Sequence, residues 1–210
     1  MPKYQFSRRE LIEKCTALGV VVTATSLPIS AIAKIWDDSE LRRPTPPNDL
    51  GPFYKKRSPQ ARDLRAPGDT GLPLTVKGRV LDTRGEALED AKVEVWHADH
   101  FGKYDIDGYR FRAQIPLEGK GAYSFDSVMP GHYPDRVCQH VHFLVSAPGH
   151  KTLVTQLYFA TDPVFEGNPD KNFTRDPLLT SRELVRPVML AGDPKTMHAA
   201  VNFELCLERL

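Results

Sequence analysis

Proline is the feature that most limits what this chain can fold into. The 210 residues include 18 prolines and 14 glycines, and the prolines occur along most of the sequence. Because proline lacks a backbone N–H donor and disrupts a helix interior, the composition disfavours long helices. Short strands joined by shaped loops agree better with so many interruptions.

Overall composition narrows the class of protein further. The chain is 40% hydrophobic and 26% charged, which excludes a disordered, collagen-like or multi-span membrane protein. It carries 28 basic and 27 acidic side chains, and its longest basic run is Lys55-Lys56-Arg57. With charges so balanced and no nucleic-acid-binding motif, no nucleic acid is expected as a partner.

The first 33 residues differ from the rest and predict a targeting segment. Ser7-Arg8-Arg9 precedes an uncharged stretch over 15–33 that ends in Ala31-Ile32-Ala33. This pattern is typical of a twin-arginine signal with a small-residue cleavage site, so we expect a periplasmic or otherwise exported protein. A membrane anchor is the alternative, but the threonines, serines and Pro28 weaken it. We therefore expect no stable membrane span after cleavage.

The remaining chain divides into two parts. Residues 34–73 are rich in proline and polar groups without periodicity, and they predict an extended arm around a domain. Residues 74–210 are predicted to form the main domain, a β-sandwich. Cleavage would remove Cys15 and leave Cys138 and Cys206, whose pairing the sequence does not decide, with free thiols slightly favoured.

Period-two alternation begins at Leu74 and indicates half-buried strands. Such strands are predicted over 74–80, 91–96, 122–126, 139–146, 152–159 and 199–207. Short strands separated by glycine- and proline-containing loops predict an all-β fold, an antiparallel β-sandwich with long loops. We expect a long surface loop over 163–179 and one helical turn over 181–185.

The sharpest local motif is His140-Val141-His142. In a strand, the two imidazoles project to one face of the sheet while Val141 and Phe143 project to the other. Two histidines on one face are a metal-site signal, and the alternative is a pair of hydrogen-bonded structural histidines.

Further ligands would decide the chemistry, and the residues leave several sets open. A zinc site needs another histidine, a cysteine or a carboxylate, whereas an Fe(II) oxygenase uses two histidines and one carboxylate. The candidates for these roles are His97, Asp99, His100, His132 and Cys138.

Two loop tyrosines offer a different ligand set. Tyr104 follows the second predicted strand, and Tyr133 precedes the strand with the histidine pair. A phenol has a pKa of about 10, so a phenolate at neutral pH needs about 4 kcal/mol of stabilisation. A trivalent iron supplies this readily, and phenolate oxygens therefore select Fe(III). The usual alternative for either tyrosine is a packed aromatic ring with a hydrogen-bonded hydroxyl.

Several motifs occur in an order that resembles one enzyme family. They are Gly51-Pro52-Phe53-Tyr54, Val93-Glu94-Val95-Trp96-His97-Ala98-Asp99, Gly102-Lys103-Tyr104, Gly121-Ala122-Tyr123-Ser124-Phe125, Pro130-Gly131-His132-Tyr133-Pro134, His140-Val141-His142-Phe143 and Thr155-Gln156-Leu157-Tyr158-Phe159. Together they resemble the intradiol ring-cleavage dioxygenases, most closely the protocatechuate 3,4-dioxygenase subunits. The resemblance covers most of the chain after residue 33.

The resemblance implies a ligand set and a cofactor. Tyr104 and Tyr133 match the equatorial and axial tyrosinates of the family, and His140 and His142 match its imidazole ligands. Together they would hold one non-haem Fe(III) per chain. Gln156 matches a catalytic glutamine close to the ligands.

Two further roles follow from the same resemblance. Tyr54 matches a substrate-binding aromatic near the mouth of the site. The family arginine, which is catalytic and binds substrate, stands three residues before the first histidine, where this chain has Val137. Arg136 is nominated instead, and a bulge is needed to aim it. Asp135 replaces a frequent tryptophan, so the particular catechol is left open.

The implied reaction is intradiol cleavage of a catechol by O₂ to a cis,cis-muconate, with Tyr133 as a built-in base and Arg136 stabilising negative charge. The implied partners are a catechol and O₂, and an oligomer as in many family members. Two alternatives remain, a zinc-dependent hydrolase using the same histidines and a non-catalytic transthyretin-like binding module.

Overall fold

The computed structural model describes residues 41–134, 136–193 and 196–210. Within these ranges there are ten strands: β1 (Pro73–Asp82), β2 (Lys92–Trp96), β3 (Arg112–Ile115), β4 (Ala122–Val128), β5 (His140–Ser146), β6 (Leu153–Phe159), β7 (Val185–Arg186), β8 (Val188–Ala191), β9 (His198–Asn202) and β10 (Leu205–Leu207). The α-helix of this part is α1 (Pro169–Asn172). The predicted export signal and Asp135 lie outside the described residues. None of the described helices has the length and apolar character needed to cross a membrane.

In the described part of the chain, the strands form two five-stranded sheets. The first has the order β10-β1-β9-β8 with β4 also paired to β1, and the second has the order β3-β2-β5-β6-β7. The predicted β-sandwich is confirmed, but its sheets are mixed rather than purely antiparallel. Strand β1 runs parallel to β9 and β10, and β6 runs parallel to β7. Long connections join these parallel partners, whereas a tight hairpin would impose antiparallel pairing.

The core lies between the sheets, where the alternation of β5 directs three of its side chains. Val141, Phe143 and Val145 are fully buried in the main apolar cluster. The ring of Phe143 packs against Phe125 of β4 and against Phe203, with centroids 6.3 and 5.2 Å apart. The opposite face of β5 therefore presents the two histidines, as the period-two pattern predicts.

The last predicted strand, 199–207, is interrupted in the structure between β9 and β10. The Phe203 amide donates to the Lys77 carbonyl, and the Phe203 carbonyl accepts from the Tyr123 hydroxyl. A Cβ at Gly78 would lie 2.0 Å from the Phe203 oxygen, so only glycine allows this approach. The alternation still holds, because Val201, Phe203, Leu205 and Leu207 are all buried.

The segment 163–179 is more structured than the long surface loop we predict from its composition. It contains 3-10 turns at Pro163–Phe165 and Phe173–Arg175 on either side of α1, and the Phe165 ring is fully buried. The buried aromatic anchors the segment, which composition alone does not reveal. The helical turn predicted over 181–185 is confirmed as a 3-10 turn at Arg182–Leu184, capped by Ser181.

Residues 41–72, which precede β1, contact both sheets. The Thr45 amide donates to the Cys206 carbonyl beside β1, and the Asn48 amide donates to the Val154 carbonyl of β6, both at 2.9 Å. The chain then crosses the outer face of the second sheet. Of the described cysteines, Cys138 and Cys206 are both free thiols.

Candidate metal centre

The outer face of the second sheet is buried, although it points away from the sandwich core. Trp96, His140, His142, Gln156 and Tyr158 are each at most 2% exposed. Strand register places His142 between Trp96 of β2 and Gln156 of β6, and pairs His140 with Tyr158. Residues preceding β1 and two loops must therefore cover this face, and they supply the remaining groups of the site.

One of these loops carries Tyr104 and the other carries Tyr133. The loops touch at two glycines, because a Cβ at Gly102 would lie 2.0 Å from the His132 oxygen and one at Gly131 would lie 2.4 Å from the His100 oxygen. The Gly131 amide also donates to the Asp99 carbonyl at 2.8 Å. Close backbone contact, which larger residues would prevent, brings the two tyrosines together.

Four aromatic rings converge in front of β5. The ring centroids of His140 and His142 lie 4.9 Å apart, those of Tyr133 and His140 lie 5.7 Å apart, and those of Tyr104 and Tyr133 lie 5.8 Å apart. The ring centroids of Tyr104 and His142 lie 6.4 Å apart, so each of the four rings has two of the others as neighbours. The structure therefore brings together the four side chains predicted as metal ligands.

The hydrogen bonds of His140 fix its tautomer. Its Nδ1 lies 2.8 Å from the Cys138 carbonyl oxygen, which only accepts, so Nδ1 carries the proton. Its Nε2 therefore carries no proton and has a free lone pair, 3.3 Å from the Tyr133 hydroxyl oxygen. Burial, and then the positive charge of Arg136, lower the pKa of His140 to about 3. The imidazole is thus neutral at neutral pH, as a metal ligand must be.

The second histidine is also neutral and is stacked on an indole. The rings of His142 and Trp96 are nearly parallel at 4.9 Å. Burial, followed by the electrostatic interaction with the neighbouring His140, lowers the pKa of His142 well below its ordinary value. Among the described residues its buried Nδ1 finds no hydrogen-bond partner. Gly51 lies against this ring, since a Cβ there would be 3.1 Å from Cε1.

Tyr104 provides a test of whether a cation fits here. Its buried Oη finds no hydrogen-bond partner among the described residues. Burial, and then the neighbouring Tyr133, raise the pKa of Tyr104 above its ordinary value. A buried unpaired phenol is costly, and a hard trivalent cation would both satisfy the oxygen and reverse the pKa shift. Two phenol oxygens and two neutral imidazoles therefore fit Fe(III).

Arg136 reaches the site through a turn rather than a strand bulge. Its amide donates to the Tyr133 carbonyl at 2.9 Å, and β5 begins only at His140. Its guanidinium is buried and donates to Gln156 Oε1 and to the Tyr158 hydroxyl, each at 2.8 Å. Arg136 and Gln156 thus form one hydrogen-bonded pair beside the four rings.

Tyr54 contacts Trp96, which in turn is stacked on the predicted ligand His142. Its hydroxyl is 3.3 Å from the Glu94 carboxylate, and its ring centroid is 5.1 Å from that of Trp96. Ring contacts from Tyr54 to Trp96 and from Trp96 to His142 join the segment before β1 to the four converging rings. Trp96 and Tyr158 were not predicted as site residues, although each lies directly opposite a predicted histidine ligand on the neighbouring strand.

The other candidate ligands are engaged elsewhere. His97 donates from Nδ1 to the Ala98 carbonyl and accepts at Nε2 from the Ser127 hydroxyl, both at 2.7 Å. His132 pairs with Asp162, and His100 with Thr70. In the described part of the chain, no three histidine, cysteine, aspartate or glutamate side chains are placed to hold a metal ion. The zinc alternative therefore lacks a third ligand of these types there.

Comparison with known proteins agrees with this arrangement. The sequence model of the dioxygenase family matches residues 50–209. The chain is 33% identical over 141 residues to the hydroxyquinol 1,2-dioxygenase of Nocardioides simplex, covering 56% of this chain and 48% of that protein. It is 35% identical over 149 residues to catechol 1,2-dioxygenase 2 of Acinetobacter lwoffii, covering 57% and 52%. The chain thus spans about half the length of these curated relatives.

A solved structure matches more completely. It is the dioxygenase domain of a dioxygenase–carbohydrate-binding protein fusion from Streptomyces sp. SirexAA-E, with a TM-score of 0.68 and 30% identity. The match covers 80% of this chain and 100% of that domain. Fold and family match together define a dioxygenase-type β-sandwich. Within that class, this chain belongs to the intradiol dioxygenase family.

Proposed function

We propose that this chain opens catecholic rings with O₂ by intradiol cleavage, using one ferric ion held by Tyr104, Tyr133, His140 and His142. The convergence of these four rings carries the proposal, with His140 Nε2 facing the Tyr133 hydroxyl at 3.3 Å. The named activities of the relatives, catechol and hydroxyquinol 1,2-dioxygenases, support the reaction class.

The bound ferric ion would supply Lewis-acid stabilisation and orientation of the catechol oxygens. Tyr133, as a phenolate, accepts a proton at Oη from a catechol hydroxyl. The guanidinium of Arg136 is held in place by Gln156 and stabilises negative charge that develops on the substrate ring. Tyr54 lies beside Trp96, where it contributes to the substrate-facing side of the site.

The substrate and product follow from the family. We propose a catechol and O₂ as substrates and a cis,cis-muconate as product, with catechol, hydroxyquinol and chlorocatechol as the first compounds to test. Oligomerisation is proposed on the same basis.

Visible spectroscopy tests the ligand set. Holoprotein should absorb broadly in the visible through tyrosinate-to-iron charge transfer, and Tyr104→Phe or Tyr133→Phe should shift or bleach the band. Tyr109→Phe is a matched control, since its hydroxyl donates to the Lys56 carbonyl outside the ring cluster. Oxygen uptake with the three catechols should fall by about 100-fold or more in Tyr133→Phe, because the variant lacks the base. A spectrum unchanged in both site variants would exclude the two tyrosines as ligands, and a colourless zinc-loaded protein would favour the hydrolase alternative.

We also propose export by the twin-arginine route, on the basis of Arg8-Arg9 and the small-residue end of the leader. Changing both arginines to lysine keeps the charge but should retain the uncleaved chain in the cytoplasm. Cell fractionation checks this, with the unmodified chain as the control. Equal export of both forms would contradict the proposal.

A further inference from the structure

Two buried carboxylates hold the backbone of the two residues that precede His140. Asp162 and Asp176 are each 1% exposed and follow β6 in the chain. Asp162 Oδ2 accepts from the Gln139 amide at 2.7 Å, and Asp176 Oδ2 accepts from the Cys138 amide at 3.2 Å. The hydrogen bonds that these two carboxylates accept come from backbone amides and from His132. The proposed reaction gives neither aspartate a direct role.

The contact of Asp162 has a specific consequence, because the Gln139 amide and the Cys138 carbonyl belong to one peptide unit. That carbonyl accepts the Nδ1 proton of His140 at 2.8 Å. A carboxylate is thus joined to the imidazole through a single peptide group. Hydrogen bonds in such a chain polarise one another, so a carboxylate at the N–H end makes the carbonyl a stronger acceptor.

We propose that Asp162 is a positioning residue that acts through the Cys138–Gln139 peptide to fix the tautomer and orientation of His140. Many metal-binding histidines donate directly to a carboxylate or a carbonyl. In this chain, a carbonyl polarised by a buried carboxylate takes that place. The proposal rests on the proposed function only in making His140 a ligand, since the hydrogen-bonded chain is a property of the protein alone.

The other contacts of Asp162 explain why its position is rigid. Oδ1 accepts from the Val164 amide and from His132 Nε2, both at 3.0 Å, and Val164 lies in the 3-10 turn that Asp162 caps. The Gln139 side chain in turn donates to the Pro130 carbonyl at 2.8 Å, in the loop that carries Tyr133. Asp162 therefore fixes the Cys138–Gln139 peptide against the segment that follows β6.

Asp176 provides a matched control. It is equally buried, also accepts a backbone amide next to His140, and also accepts from the Leu178 amide at 2.9 Å. The Cys138 amide, however, belongs to the preceding peptide unit, which does not contain the carbonyl bonded to His140. Asp176 also lies 3.8 Å from the Arg136 guanidinium. Loss of its charge should therefore affect Arg136 rather than the His140 tautomer.

The test compares Asp162→Asn with Asp176→Asn in the full-length chain. With ¹⁵N-labelled histidine and His140→Gln to assign the signal, metal-free wild type and Asp176→Asn should show His140 protonated at Nδ1. Asp162→Asn should populate the Nε2-protonated form. In the iron-loaded proteins, a chelator should remove iron from Asp162→Asn at a concentration about tenfold lower than from Asp176→Asn. An unchanged tautomer and equal iron retention would overturn the proposal.

Two further results would also decide whether Asp162 positions His140. If Asp162→Asn does not fold, the wild-type chain still tests the proposal, because the Gln139 amide should exchange slowly with solvent and His140 should be protonated at Nδ1. Rapid exchange of that amide would overturn it. If the wild-type protein cleaves no catechol but Asp162→Asn still changes the tautomer of His140, the proposed function is wrong and the role of Asp162 stands.

Discussion

Individual histidines in this chain differ in role because of their hydrogen bonds. His97 and His140 are both buried and both donate from Nδ1 to a backbone carbonyl. At His97, Nε2 is occupied by the Ser127 hydroxyl, whereas at His140 it faces a second ring of the site. The sequence offers both as ligand candidates, and only the partner of the second nitrogen separates them.

Burial of His97 predicts a pH dependence of stability. Its pKa is lowered to about 4, chiefly by burial, whereas an unfolded histidine has a pKa of about 6.5. Between these two pKa values the unfolded chain binds more protons than the folded chain. The neutral His97 therefore contributes its full stabilisation above pH 6.5, and this contribution is lost as the pH falls towards 4. From pH 7.5 to pH 5 this histidine should cost about 2 kcal/mol of unfolding free energy.

Denaturant unfolding of wild type and His97→Gln at both pH values checks this expectation. The difference between the two pH values should be about 2 kcal/mol smaller in the variant, because its replacement residue does not titrate. His140 and His142 are present in both proteins and cancel in the comparison. Parallel pH curves for the two proteins would contradict the assignment.

At the scale of elements, alternation predicts the long strands well. Strands β1, β2, β4, β5 and β6 all lie where the period-two pattern places them. The period-two pattern does not predict β3, β7 and β8, which have two to four residues each and lie at sheet edges. Such short segments depend on a neighbouring strand for their hydrogen bonds, so local pattern carries little signal for them.

The break between β9 and β10 gives a prediction about stability. The buried Tyr123 hydroxyl donates to the Phe203 carbonyl at this break. Tyr123→Phe would remove the donor and leave a buried carbonyl with one fewer partner, at a cost of about 1–2 kcal/mol.

Thermal or denaturant unfolding measures this cost. Tyr109→Phe again serves as a control, because its hydroxyl donates to an exposed carbonyl and its loss should cost less than about 0.5 kcal/mol. Equal stability of the two variants would show that the Tyr123 bond does not hold the break.

At the scale of the whole molecule, the site depends on segments far apart in sequence. Gly51 comes from the residues before β1, Tyr104 from the loop after β2, Tyr133 and Arg136 from the loop before β5, and Gln156 from β6. A ligand that joins several of these segments stabilises the folded state over the unfolded state, which lacks the assembled site.

Removal of iron should therefore lower stability. At a free iron concentration 1,000 times the dissociation constant, binding contributes about 4 kcal/mol, and a chelator should remove that contribution. Thermal unfolding with and without chelator measures the loss. His140→Ala should lose iron and should not respond to chelator, and an equal response in that variant would contradict its role as a ligand.

The sequence by itself determined the layered β architecture, the facing pair of histidines and, through the order of its motifs, the family. These follow from strand periodicity and from local spacing, which are properties of neighbouring residues. Only the tertiary structure decided that Arg136 enters through a turn, that His97 is fully hydrogen-bonded and that Asp162 reaches the Cys138–Gln139 peptide. Those features depend on contacts between segments that are distant along the chain, and local pattern contains no information about which distant group satisfies a buried donor.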